Sequence, residues 1–157
     1  MAAWQVEFYI IPRRALPSHG ALDSSGLVGT PWWTTHRLPI DYQKRLSAFA
    51  SASPSSSAEL ETWGSQDGNR VDVRSDDGRV SAVMARVDVR RLDSKFGAAL
   101  LHFVRTAQTV LVRSDGLVVE PQIATYTAAL RSSNAWKFAS DPATFFGRYS
   151  QADDDDA

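Results

Sequence analysis

Residues 69–91, NRVDVRSDDGRVSAVMARVDVRR, hold two strand-like runs around Asp77-Gly78, and they carry the pentapeptide Arg-Val-Asp-Val-Arg twice, at 70–74 and 86–90. In the first copy Val71 and Val73 alternate with Arg70, Asp72 and Arg74, the period of two expected of a strand with one wet face. A turn centred on Asp77-Gly78 sets Val71 opposite Met84 and Val73 opposite Ala82, with all four on the buried face. Val87 and Val89 are then out of phase with Met84. A simple one-residue slip would turn Asp88 and two arginines into the core, at a large desolvation cost. The sequence therefore predicts a β-bulge near Met84 to Arg86 that restores the phase. No longer self-similarity accompanies the repeated pentapeptide, so convergence of two short alternating strands explains it better than duplication.

Working outward, Trp4 to Ile11 reads as a first strand, and its apolar residues on both faces (Phe8 and Ile10, Tyr9 and Ile11) place it inside the sheet. Residues 12–38 form a long connection holding Trp32, Trp33, His19 and His36. Connections of that length usually carry structure or function of their own. The paired tryptophans either pin the segment to the core or form the rim of a partner site. A helix is expected from Ile40 or Asp41 to Ala52, with Tyr42, Leu46, Phe49 and Ala50 on one face. A flexible serine-rich connector at 51–58 follows, then a short strand at Leu60–Trp63.

Beyond the hairpin, Asp93 caps a helix running to about Gln108, with Phe96, Ala99, Leu100, Phe103 and Ala107 inward and Lys95, Ala98, His102 and Arg105 outward. Thr109–Ser114 and Leu117–Glu120 form a second hairpin with a type I′ turn at Asp115-Gly116. A helix over Ile123–Arg131 buries Ile123, Tyr126 and Leu130. Asp141-Pro142 starts a last short helix over Ala143–Tyr149, and residues 151–157 form an acidic disordered tail.

The fold class is thus α+β: an antiparallel sheet with helices on one face, in the ferredoxin-like order β-α-β-β-α-β, plus an extra strand and C-terminal helices. At 157 residues with 43% hydrophobic side chains, residues 1–150 make a single domain. Net charge is −1, and without the aspartates at 153–156 the balance is 17 basic to 14 acidic side chains. Neither nucleic acid nor membrane is implied as a partner by that balance. The central strands also lack the aromatics on which an RNA-binding sheet stacks bases. The absence of cysteine fits a reducing compartment. The N-terminal residues make a poor signal peptide, and no apolar run approaches the ~20 residues of a membrane span, so the expected location is cytoplasmic. Fourteen arginines against three lysines suggest a GC-rich bacterial genome.

Chemistry is sparse. The chain has no phosphate-binding glycine loop, dinucleotide fingerprint, zinc-protease motif or nucleophile elbow. His102 falls on the wet face of its helix. His19 and His36 lie near Asp23, but nothing fixes a metal-binding geometry, so no metal or cofactor is expected. The strongest polar feature is the wet face of the central strands: Arg70, Asp72 and Arg74, then Arg86, Asp88 and Arg90. These charges either neutralise one another across the sheet or leave arginines free for an acidic partner.

Three phrases carry a resemblance: Trp63-Gly64-x-x-Asp67-Gly68-Asn69-Arg70-Val71-x-Val73; Arg86-Val87-Asp88-Val89-Arg90; and Ser133-x-Ala135-Trp136-x-Phe138 with Asp141-Pro142-x-x-Phe145-Phe146. Together they resemble a group of small bacterial proteins of unassigned function. Proteins of this size and make-up are similar to the immunity proteins of bacterial toxin systems. The resemblance implies a non-enzymatic, partner-neutralising protein and assigns no residue a role. The expected partner-binding residues are Trp32, Trp33, Arg70, Asp72, Arg74, Arg86, Asp88 and Arg90, no catalytic residue is expected, and an exposed edge strand could pair two copies into a homodimer. The alternative is a small enzyme or ligand-binding domain with its site under residues 12–38 and His19 or His36 as acid–base group.

Overall fold

The structure, a computed structural model, describes residues 1–17, 22–53 and 57–143. Its strands are β1 (Gln5–Pro12), β2 (Ala52–Ser53), β3 (Leu60–Gly64), β4 (Arg70–Asp76), β5 (Arg79–Asp88), β6 (Thr109–Arg113) and β7 (Val118–Val119). Five α-helices accompany them among the described residues: α1 (Ser24–Gly29), α2 (Tyr42–Ser47), α3 (Ser94–Thr106), α4 (Ile123–Arg131) and α5 (Asn134–Ser140). The fold is α+β, with one seven-stranded antiparallel sheet in the order β2-β3-β4-β5-β1-β6-β7. β1 lies between β5 and β6, which suits a strand that is apolar on both faces.

The β4–β5 hairpin turns at Asp77 and Gly78, both at positive φ (50° and 76°), as a type I′ turn requires. Its bulge sits elsewhere than the sequence pattern places it. Register shifts between Arg74 and Ser75: Ser75 pairs with Val80 and Arg74 with Ala82, which leaves Ser81 as the extra residue. Val71 therefore opposes Ala85, not Met84, and Val73 opposes Val83, not Ala82. Placing the irregularity at an exposed serine beside the turn lets Val83, Ala85, Val87 and Val89 all face the core without a break. Met84 moves to the second face, between Asp72 and Tyr9, and is still buried.

The first face carries the main core. Val6, Phe8, Ile10, Val71, Val73 and Leu111 pack beneath Leu46 of α2, Phe96, Leu100 and Phe103 of α3, and Tyr126 and Leu130 of α4. Asp93 caps α3, accepting hydrogen bonds from the backbone N–H groups of Lys95 and Phe96. The second face is covered over β1 and β6, where Leu27 of α1 packs with Ile11, Val110 and Val112. One short helix thus lies opposite the face that the sequence reading reserved for helices.

Several expectations are corrected. Helix α2 spans Tyr42–Ser47 and stops short of Ala52, which instead pairs as β2 with Trp63. The β6–β7 connection is not type I′: Gly116 N–H donates to the Arg113 carbonyl at 2.8 Å, Arg113 N–H to the Leu117 carbonyl at 2.9 Å, and of the pair only Gly116 has positive φ. This is a three-residue loop closed by a left-handed glycine. A β-carbon on Gly116 would come within 1.8 Å of the Leu22 carbonyl oxygen, so glycine also lets the connection approach. Ile123 is 60% exposed rather than buried, because α4 turns Tyr126, Ala129 and Leu130 inward. Ser133 caps α5, a helix the sequence reading did not include. The expected helix at 143–149 and the acidic tail lie outside the described residues apart from Ala143, as do His19 and the middle of the serine-rich connector.

Candidate functional site

The two copies of Arg-Val-Asp-Val-Arg have the same residues on the same sheet face but different partners. In the first copy Asp72 takes the Nε–H of the preceding arginine, Arg70, at 2.8 and 2.9 Å to its two oxygens, and the Thr62 hydroxyl at 2.7 Å. In the second copy Asp88 takes Nε and Nη2 of the following arginine, Arg90, at 3.1 and 2.8 Å, and the Arg90 backbone N–H at 2.9 Å. The cause is what lies beside each strand. Arg86, equivalent to Arg70, reaches Glu7 of β1 at 3.1 Å and leaves Asp88 to Arg90. The pairing expected across β4 and β5 does not form: Arg70 and Arg86 are register partners, and Asp72 opposes Met84.

Arg90 and Asp88 hold up the architecture. The Arg90 guanidinium stacks 4.0 Å from the centroid of the Trp4 ring and donates to the Asp67 carbonyl, which also accepts the Trp4 indole N–H at 2.9 Å. Asn69 Oδ1 accepts the Asp88 N–H, and buried Gln5 donates to the carbonyls of Gln66 and Gly68. The 65–69 loop is thereby clamped to the start of β1. Burial alone would raise the Asp88 carboxyl, but the side-chain and backbone donors of Arg90 outweigh it and hold that carboxyl below its ordinary 3.8.

Arg74, equivalent to Arg90, has no such partner. It is exposed, and its side chain makes no ion pair or hydrogen bond among the described residues. Its field reaches Tyr9, whose phenol is pushed up by burial and by Glu7 and pulled back by Arg74 and Arg86. The second face over β3, β4 and β5 thus presents Arg70 and Arg86 already paired, and Arg74, like Arg79 at the hairpin end, with no ion pair among the described residues.

The tryptophans take the anchoring role. Trp33 is 6% exposed and belongs to the main core, so its ring presents little surface. Trp32 is half-buried, packs between the two cores, and donates its indole N–H to the Leu27 carbonyl at 2.9 Å. Asp72 is 2% exposed, and its carboxylate is occupied by Arg70 and the Thr62 hydroxyl.

A cavity of about 370 Å³ does lie against the long connection, walled by Val28, Thr30, Trp33, Asp76 and Arg79 among others. His36 is not on its wall, and its Nδ1 lies 3.1 Å from the Thr35 hydroxyl. Asp23 caps α1, accepting the Gly26 N–H at 2.6 Å. Among the described residues no group of three or more histidines, aspartates and glutamates could hold a metal, and no helix is long and apolar enough to cross a membrane.

Three ion-paired carboxylates tie stability to pH. Asp88 is described above. Asp115 is lowered chiefly by its hydrogen bond from Arg113, and Glu120 by its hydrogen bond from Arg13. A lowered folded-state pKa means the unfolded chain binds more protons, so stability is fully present above the ordinary values of 3.8 and 4.5 and is lost as pH falls through the folded ones. The melting temperature should fall between about pH 5 and pH 2, and Asp88→Asn should flatten that fall. An unchanged slope in the variant, measured by calorimetry, would remove Asp88 from the account.

Comparison of the chain with protein-family models, with curated proteins and with solved structures returned no match in any of the three.

Proposed function

We propose that the protein works by binding another protein, as an immunity-like or partner-neutralising protein, through the open second face over β3, β4 and β5. The observation that carries this reading is Arg74: an exposed guanidinium without a partner, on the strand where Arg70 and, across from it, Arg86 are each held by a carboxylate. A planar fork left free on a rigid strand suits an acidic surface, because it can bind a carboxylate through two parallel hydrogen bonds. Arg70 and Arg86, paired in register four positions along the strand, add oriented donors on the same face. The same reading takes the neighbouring strands β4, β5, β1 and β6 and their helices as a ferredoxin-like unit, supported by their adjacency in the sheet. It also places the protein in a bacterial cytoplasm, which the cysteine-free, arginine-rich composition supports.

The test is capture from a lysate of the source organism with the wild-type chain, Arg74→Glu and Lys95→Glu in parallel, followed by titration of the captured partner. A stoichiometric partner should bind at least about tenfold more weakly to Arg74→Glu, as expected when a charge in an interface is reversed. Lys95→Glu, on the helical side, should bind normally, and wild-type affinity should fall with added salt. Recovery of only further copies of the chain, or a partner indifferent to Arg74→Glu, would count against the proposal.

A further inference from the structure

On the other side of the molecule, α2 and the turn after it lie against α3 without closing. Two alanines, Ala48 and Ala99, stand where larger side chains would meet, and a groove of about 550 Å³ remains. That volume is within the ~300–1,000 Å³ range of small-molecule clefts. Phe49 and Phe103 supply its apolar surface. Phe49 is held from behind by Phe96, edge to face at 5.7 Å between centroids, so the groove's wall is fixed by the core.

The polar groups of the groove are Arg45, His102 and Thr106, and no carboxylate lines it. Arg45 is oriented by two contacts. Its Nε lies 2.9 Å from Asp41 Oδ1, one helical turn earlier, and its Nη1 lies 3.5 Å from Thr106 Oγ1. The Thr106 hydroxyl donates back to the His102 carbonyl at 2.9 Å, which leaves its oxygen as acceptor toward Arg45. Nη2 makes no hydrogen bond among the described residues. A guanidinium held by one edge, with free donors on another, beside two aromatic rings, is complementary to an anion with an apolar body.

We infer that the groove between α2 and α3 is a binding site for a small amphipathic carboxylate, its apolar body on Phe49 and Phe103 and its carboxylate on Arg45. The site is separate from the sheet face assigned to the protein partner and does not depend on that assignment. The probe is 4-phenylbutyrate, titrated into the isotopically labelled full chain and followed by amide chemical shifts. Saturable shifts should be confined to the surroundings of Ala48, Ala99 and Thr106. The uncharged analogue 4-phenylbutanol and the variant Arg45→Gln should each bind about tenfold more weakly, as loss of a charge-assisted hydrogen bond implies. Ala99→Leu, which fills the groove, should abolish the shifts while its melting curve stays cooperative. Equal affinity for acid and alcohol, undiminished binding by Arg45→Gln, or shifts that do not saturate would each overturn the assignment.

Discussion

Trp33→Ala should destabilise the protein by about 3–5 kcal/mol, the range found when a buried tryptophan is truncated in a packed core. Trp33 is part of the same cluster as Leu38, Leu46 and Val83, and half-buried Val80 at the bulged end of β5 packs against that cluster. Removing the indole deletes a large contact that, with Leu38, ties residues 30–38 to the core, and leaves a void in its place. The measurement is urea denaturation combined with hydrogen exchange. The amides of Leu27 and Thr30, which bond to the carbonyls of Asp23 and Gly26, should lose protection first. Partner binding through Arg74 should be kept wherever the variant remains folded. A loss below about 1 kcal/mol would mean that the indole is not seated in the core.

Asp72→Ala should cost about 3 kcal/mol, in the range for breaking a buried ion pair from one side. The carboxylate is 2% exposed, and the side chain of Arg70 only 16%. Without Asp72, Arg70 is left largely desolvated directly opposite Arg86, whose own carboxylate partner is Glu7, and the Thr62 hydroxyl loses its acceptor. The double variant Asp72→Ala with Arg70→Ala should recover part of the loss, since the unpaired cation is then gone. Asp88→Ala should be milder, because Arg90 keeps the Trp4 ring and the Asp67 carbonyl and reaches solvent. Urea midpoints of the three variants decide this, and equal losses for Asp72→Ala and Asp88→Ala would contradict it.

Much of the architecture was legible because its causes are local. Val71 and Val73 alternate with charges over a few residues, Asp77-Gly78 tolerates the positive φ of a type I′ turn, and Asp93 accepts hydrogen bonds from residues two and three positions on. The need for a bulge was legible for the same reason: the parity of the valines breaks within one strand. Its position was not, because several placements restore parity, and the choice at Ser81 depends on which face of β5 the helices cover. The second hairpin shows the same limit, since Asp115-Gly116 signals a turn but the approach of Leu22 to Gly116 determines which one.

The candidate site divides along the same line. From its sequence alone this chain is an α+β domain with a charged strand face, an aromatic-bearing connection and no recognised catalytic motif, since period, turn chemistry and capping act between neighbours. Only the tertiary structure decided that identical pentapeptides pair differently, that Trp33 is core, that Arg74 is the pentapeptide arginine left without an ion pair, and that α2 and α3 leave a groove. Each of these depends on residues far apart in the chain, such as Glu7 and Arg86, 79 positions apart. A side chain's partners are set by the sheet order that brings strands together, and no local pattern encodes that order.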